Sequence, residues 1–250
     1  MSDQGVSRLA SDFIASRVRD MAPSPTLAVS DKARALKAQG IDVVDLGGGD
    51  PDFITPEHIR KAAIDAMNAG ETHYVASPGI PPLRKAIAEK LKTDNELEYD
   101  WNKEILVTPG GKASLFQAML ALVEPGVEIL VLEPAWVSYG PMIEIAGGTP
   151  VSVTLDADDN FASPARNWSK RSRRTRGILV NSPNNPTGRV LSVEEIDTLC
   201  AIAIEHDLIV YTDEMYEKII YDGNEHISIA TSWYVGANAY VQRSFQGVTP

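Results

Sequence analysis

The feature that most constrains the fold is an alternation of short apolar runs with helical stretches that starts near residue 104 and continues to residue 212. The runs at 105–108, 128–132, 150–154, 177–181 and 208–212 read as strands, and the stretches at 113–123, 136–146 and 192–206 as helices. Pro125-Gly126 and Gly147-Gly148 supply two of the helix stops, and Ser192 with Glu195 three residues later forms a capping box that opens the third. Strands this uniformly apolar need cover on both faces, and the helices between them suit parallel crossovers. The expected fold class is α/β, a mostly parallel sheet with helices on both faces. Ligands in such sheets gather beyond the carboxyl ends of the strands, so the polar residues following each strand are the candidates for chemistry.

The first half is less regular. A helical arm, a break at Pro23-Ser24-Pro25, a helix over 28–39 and a short strand over 43–46 lead into Gly47-Gly48-Gly49. Thr55 reads as an N-cap with Pro56 at the first helical position, Gly70 stops that helix, and a second helix covers 82–92.

Composition adds exclusions. A chain of 250 residues with 44% hydrophobic and 23% charged residues is ordinary globular material with room for a sizeable core. Its 23 Lys+Arg against 34 Asp+Glu leave a net charge of −11. That argues against nucleic acid or an anionic membrane as partner, but not against a small anion in a local positive pocket. The single cysteine, Cys200, excludes an internal disulfide and a Cys-based zinc site, and fits a core thiol in a reducing compartment. No leader pattern opens the sequence, and the longest strongly apolar uncharged run, 113–123, is too short to span a bilayer. A cytoplasmic location is expected.

Four strand ends carry residues with chemical potential. The strand ending at Thr108 meets Pro109-Gly110-Gly111-Lys112, whose glycines and free helix-start amides suit an anion, or simply make a tight strand–helix turn. Neither a P-loop nor a Gly-x-Gly-x-x-Gly fingerprint is present. After Leu132 comes Glu133-Pro134-Ala135-Trp136-Val137-Ser138-Tyr139, where Trp136 offers either a stacking face or a core contact. After Asn181 comes Ser182-Pro183-Asn184-Asn185-Pro186-Thr187-Gly188, either a pinned amide donor or a rigid Asx turn. After Thr212 comes Asp213, with Tyr216 three residues on; this carboxylate could cap a helix or pair with a cationic nitrogen, while metal spacing is absent.

Taken together, these segments resemble the class I pyridoxal-phosphate aminotransferases, in particular the bacterial aspartate-aminotransferase-like branch. The resemblance runs from about Thr26 to Thr231 and includes Gly49-Asp50-Pro51-Asp52-Phe53, Tyr74, and Pro78-Gly79-Ile80 in the same order and spacing. It implies the large domain of the fold-type-I enzymes, incomplete, with part of a small domain. The divisions expected are 1–50 as arm and small-domain segment, 51–231 as the cofactor-binding large domain, and 232–250 as an aberrant tail.

By resemblance, Gly110, Gly111 and Lys112 would cradle the phosphate of pyridoxal 5'-phosphate, and Trp136 would stack on its ring. Asn185 and Tyr216 would reach the ring's phenolate oxygen, and Asp213 would pair with the pyridinium nitrogen. Tyr74 would reach the phosphate of a neighbouring subunit, implying a homodimer. Gly49, Trp136 and Asn185 would touch substrate. The implied reaction moves an amino group between an L-amino acid, aspartate-like or aromatic, and a 2-oxo acid. Related carbon–sulfur lyases share these motifs, and a non-catalytic cofactor-binding relic is a further alternative.

The resemblance also implies a Schiff-base lysine beyond the Asp-x-x-Tyr motif. Lys218, two residues after Tyr216, is the last lysine of the sequence and does not match its position. Arg243 is the only arginine after Arg189, and its surroundings match no family motif. From Ser232 to Pro250 there is no Asp, Glu or Lys. Back-translated from Ser232 and read one nucleotide later, this tail permits Pro-Gly-Met-Trp-Glu-Arg-Thr-Leu-Thr-Phe-Asn-Gly-Leu-Ser-Lys-Ala, which resembles the family's lysine segment. The expectation is a truncated chain, frameshifted after about Thr231 and inactive as written, so that no catalytic residue is assigned.

Overall fold

The computed structural model describes residues 13–21, 25–45, 47, 53–161, 172–231 and 239–242. Five parallel strands form one sheet: β1 (Glu128–Glu133), β2 (Thr149–Thr154), β3 (Thr175–Asn181), β4 (Ile209–Asp213) and β5 (Ala239–Gln242), in the order β2-β1-β3-β4-β5. The helices are α1 (Ser16–Arg19), α2 (Pro25–Ala38), α3 (Glu57–Asn68), α4 (Pro81–Asn95), α5 (Gly111–Leu122), α6 (Tyr139–Ile145) and α7 (Val193–Glu205).

Alternation along the strands splits the core in two. Ile129, Val131, Leu179 and Tyr211 face one way and pack with Leu115 and Met119 of α5 and Met142 and Ile143 of α6. Leu130, Leu132, Ile178, Val180 and Val210 face the other way and meet Ile196, Leu199, Cys200 and Ala203 of α7. Cys200 is fully buried, and that burial pushes its thiol up to about 11, so it is a core thiol. The capping box is present as read: the Ser192 hydroxyl accepts from the Glu195 amide at 3.3 Å, and the Glu195 carboxylate accepts from the Ser192 amide at 2.9 Å.

Several elements differ from the sequence reading. Residues 105–108 are not a strand, because their backbone groups find other partners. The carbonyl of Ile105 accepts from Nε of Arg84 at 2.9 Å, and the amide of Val107 donates to the carbonyl of Pro78 at 3.0 Å. Residues 41–45 pair with no strand and leave Val44 exposed; residue 46 lies outside the described residues. Thr55 does not cap α3, which starts at Glu57 behind Pro56 with no side-chain cap. The tail, to which the sequence assigned no element, supplies β5, paired with β4 from Val210↔Ala239 to Asp213↔Gln242.

The centre of the sheet is tightly packed at Gly177. A Cβ there would lie 2.8 Å from the Tyr211 ring, 3.0 Å from Ile129 and 3.1 Å from the Ile209 carbonyl. The Ile209 contact is backbone of the adjacent strand and cannot rotate away. Gly177→Ala should therefore lower stability by roughly 1–3 kcal/mol, the usual cost of overpacking. Urea unfolding followed by circular dichroism checks this; an unchanged midpoint would contradict it.

Candidate active site

The parallel arrangement brings the carboxyl ends of β1, β3 and β4 to one edge of the sheet, and the start of α5 joins them there. A continuous series of contacts runs across that edge. Nζ of Lys112 lies over the Trp136 ring at 4.6 Å from its centroid, and Trp136 meets Tyr139 edge-on with centroids 5.4 Å apart. The Tyr139 hydroxyl donates to Oδ2 of Asp213 at 2.9 Å. Nδ2 of Asn181 donates to the Asp213 carbonyl at 2.8 Å, and Oδ1 of Asn181 accepts from the Asn185 amide at 2.8 Å. The Ser182 amide also donates to the Asp213 carbonyl, at 3.2 Å. Lys112, Trp136, Asn185 and Asp213 are thus parts of one constellation, with Gly110 and Gly111 immediately preceding Lys112 at the start of α5.

Local structure explains each placement. Gly110 precedes α5 at φ 94°, a left-handed conformation open to glycine, and nothing lies within 4 Å of where a Cβ would be. The first-turn amides of α5, including those of Gly111 and Lys112, have no acceptor within the helix and carry the positive end of its dipole. Asp213 is the last residue of a central strand, between β3 and β5, and is 6% exposed. Asn184 folds its loop into an Asx turn, with Oδ1 accepting from the Thr187 amide at 3.1 Å and from its hydroxyl at 2.8 Å.

The electrostatics centre on Asp213. Burial raises its carboxyl above the ordinary range, partly offset by the Tyr139 hydroxyl and by the Met215 amide, which donates at 3.2 Å. Among the described residues no cation forms an ion pair with it. Tyr139 is held protonated by its own burial, then by the neighbouring Asp213 charge, with Tyr216 contributing as well. Tyr216 lies in the turn that follows β4, three residues beyond Asp213. A buried carboxylate with no cation paired to it among the described residues, a half-buried indole linked to it through Tyr139, and helix-start amides with no acceptor within the helix fit pyridoxal phosphate, which offers a pyridinium, a flat ring and a dianionic phosphate.

Not every candidate joins the cluster. Tyr74 is fully exposed with no contact to this site. Gly49 and Arg243 lie outside the described residues. Lys218 is held elsewhere: its Nζ pairs with Asp94 of α4 at 3.1 Å. Two contributors were missed by the sequence reading. Tyr139 was visible as the third residue after Trp136, and a buried acid at a strand end needs a donor. Asn181 ends the apolar run of β3, where a polar residue was the available signal.

The fold and site define a cofactor-binding α/β domain of the pyridoxal-phosphate type. Residues 41–245 match the family model for aminotransferase class I and II. The aspartate aminotransferase of Bacillus sp. (strain YM-2) is 43% identical over 220 residues, covering 88% of this chain and 56% of that protein. The aspartate/prephenate aminotransferase of Thermus thermophilus is 45% identical over 213 residues, covering 85% and 55%. The solved Thermus thermophilus aspartate aminotransferase with maleate superposes with a TM-score of 0.83 at 43% identity, covering 87% of this chain and 56% of that one. The chain belongs to the class I and II aminotransferase family, whose members depend on pyridoxal phosphate. It spans about half the length of these relatives.

Because burial raises the Asp213 carboxyl, its favourable contribution is complete at acid pH and lost as pH rises through the raised value. Without cofactor, Asp213→Asn should gain stability over the parent chain as pH climbs above about 4, the ordinary carboxylate value, toward neutrality. Tyr139→Phe removes a donor to the carboxylate and should move the parent profile further up in pH. Thermal unfolding at a series of pH values tests both; parallel profiles for parent and Asp213→Asn would contradict the assignment.

Proposed function

We propose that this chain is the cofactor-binding portion of an aminotransferase that exchanges an amino group between an L-amino acid, aspartate-like or aromatic, and a 2-oxo acid. The observation that carries the reading is the buried Asp213, coupled through Tyr139 to Trp136 and Lys112 and lacking a cation among the described residues. When bound, pyridoxal phosphate supplies an electron-accepting ring that stabilises negative charge at the substrate's α-carbon.

The roles of the chain's own residues follow. Asp213 would keep the ring nitrogen protonated, with Tyr139 holding the carboxylate in place. Trp136 would cover one face of the ring, exchanging its contact with Lys112 for the cofactor. The amides of Gly110, Gly111 and Lys112 would bind the phosphate. Asn185 and Tyr216 would donate to the phenolate oxygen, and Gly49, Trp136 and Asn185 would contact substrate.

The partner we propose is a second copy of the chain. No residue of α3 is buried, and Phe53, Ile54, Ile64, Met67 and Tyr74 are all exposed on and around that helix. A homodimer would cover this apolar surface and bring Tyr74 to the neighbouring phosphate site. No helix among the described residues is long and apolar enough to cross a membrane, and we place the protein in the cytoplasm.

A second reading is favoured by one observation. Lys218, the last lysine in the sequence, is paired with Asp94. The 250-residue chain by itself should then hold the cofactor without a covalent bond and act as a non-catalytic binder. The frameshift proposed after Thr231 would take the family lysine out of the reading frame, and reading the coding DNA tests it. Codons that do not encode Ser-Lys in the shifted frame would end that proposal.

Binding should appear as a cofactor absorbance that dialysis removes and borohydride fails to fix to the protein. Asp213→Ala should weaken it by about tenfold or more, since a buried ion pair loses one partner. Borohydride-stable cofactor would show a covalent lysine and overturn the non-catalytic reading. Unchanged affinity in Asp213→Ala would overturn the site.

A further inference from the structure

The segment after β4 carries two carboxylates that the site does not use. Asp213 belongs to the site and the proposed function assigns Tyr216 to it, while Glu214 and Glu217 are each held by a different part of the fold. Glu214 is 2% exposed. Its Oε1 accepts from the Thr212 hydroxyl at 3.1 Å and the Ser228 hydroxyl at 2.8 Å, and its Oε2 meets Nε2 of His226 at 3.1 Å.

Glu217 is gripped by Lys90 and Asn95 from the last two turns of α4. Its Oε1 accepts from Nζ of Lys90, and its Oε2 accepts from Nδ2 of Asn95 at 2.9 Å. Nζ of Lys90 also donates to Oδ1 of Asn95 at 2.7 Å, so three side chains close a ring of hydrogen bonds. The side chains of Lys90 and Glu217 are 20% and 12% exposed, which removes most of the solvent screening that weakens surface pairs. Lys218 adds its pair with Asp94 from the same helix.

The backbone between the two anchors is short and turned. The Glu217 amide donates to the Glu214 carbonyl at 3.2 Å, and the Ile219 amide donates to the Tyr216 carbonyl at 2.8 Å. Tyr216 therefore sits on a turn whose two ends are tied to separate structural units. We propose that the Lys90–Asn95–Glu217 ring is a positioning device that sets where the Tyr216 hydroxyl lies, making Lys90 and Glu217 positioning residues for the phenolate end of the cofactor site. The proposal rests on the cofactor reading above for its functional consequence, but not for its structural one.

The structural consequence is tested without cofactor. In Lys90→Met, and in Glu217→Gln, amide hydrogen exchange over residues 215–219 should accelerate by about tenfold or more, while α7 stays as protected as in the parent. Unchanged exchange at 215–219 overturns the proposal. The double variant Lys90→Met/Glu217→Met, which removes both charges together, should recover thermal stability yet leave 215–219 fast.

The functional consequence is read from bound pyridoxal phosphate in the full chain, by following its absorbance against pH. Loss of a donor to the phenolate raises its titration midpoint, so Glu217→Gln and Tyr216→Phe should each raise it by about half a unit or more. Combining them should add nothing to the larger shift. Shifts that sum, or a midpoint unmoved by Glu217→Gln, overturn the positioning role. If the parent chain and Tyr216→Phe titrate alike, or neither binds, the cofactor reading fails instead, and the exchange result still decides the ring.

Discussion

The site depends on one buried negative charge. Asp213 ends a strand in the middle of the sheet, where taking a carboxylate out of water is costly, and two donors, Tyr139 and the Met215 amide, offset only part of that cost. The remainder is a standing attraction for a cation of matching shape. The protonated pyridine of the proposed cofactor would meet that requirement, with Trp136 available to cover its ring. The Tyr139 phenol therefore belongs to the charge balance of the site as much as Asp213 does.

Parallel strands make this arrangement possible, because they deliver all their carboxyl ends to one edge. Order in the sheet then decides which end is buried: β3 and β5 flank β4, so Asp213 lies between neighbours while its backbone carbonyl accepts from Asn181 and Ser182 of the adjacent segment. The chain after Asp213 divides its labour by position. Residue 213 turns to the site, and residues 214 and 217 are tied into polar networks supplied by 226–228 and by α4. Rigid support of this kind matters for a site that must hold hydrogen-bond geometry closely.

Much of this was legible in the amino-acid order. The alternating runs gave the strand and helix sequence from 128 to 213 with boundaries shifted by up to three residues, the largest shift being the start of α6 at Tyr139, and the capping box at Ser192 marked the start of α7. Short local signals suffice there, because apolar periodicity and capping act within a few residues. The strand reading at 105–108 did not hold, since Arg84, distant in sequence, takes the Ile105 carbonyl that a neighbouring strand would have used. The tail gave no signal for β5, whose existence rests on pairing with β4. The bond from Tyr139 to Asp213 joins residues 74 positions apart, and no local pattern announces such a contact.

The amino-acid sequence by itself determined the α/β class, the order of its core elements and the residue types presented after each strand, because those follow from side-chain chemistry and spacing along the chain. Only the tertiary structure decided that Lys112, Trp136, Tyr139, Asn185 and Asp213 share one edge, and that Lys218 is committed to Asp94. The physical reason is that burial and charge pairing are properties of neighbours in space. A carboxylate written at position 213 acquires its raised proton affinity only when the sheet closes around it and withdraws the water.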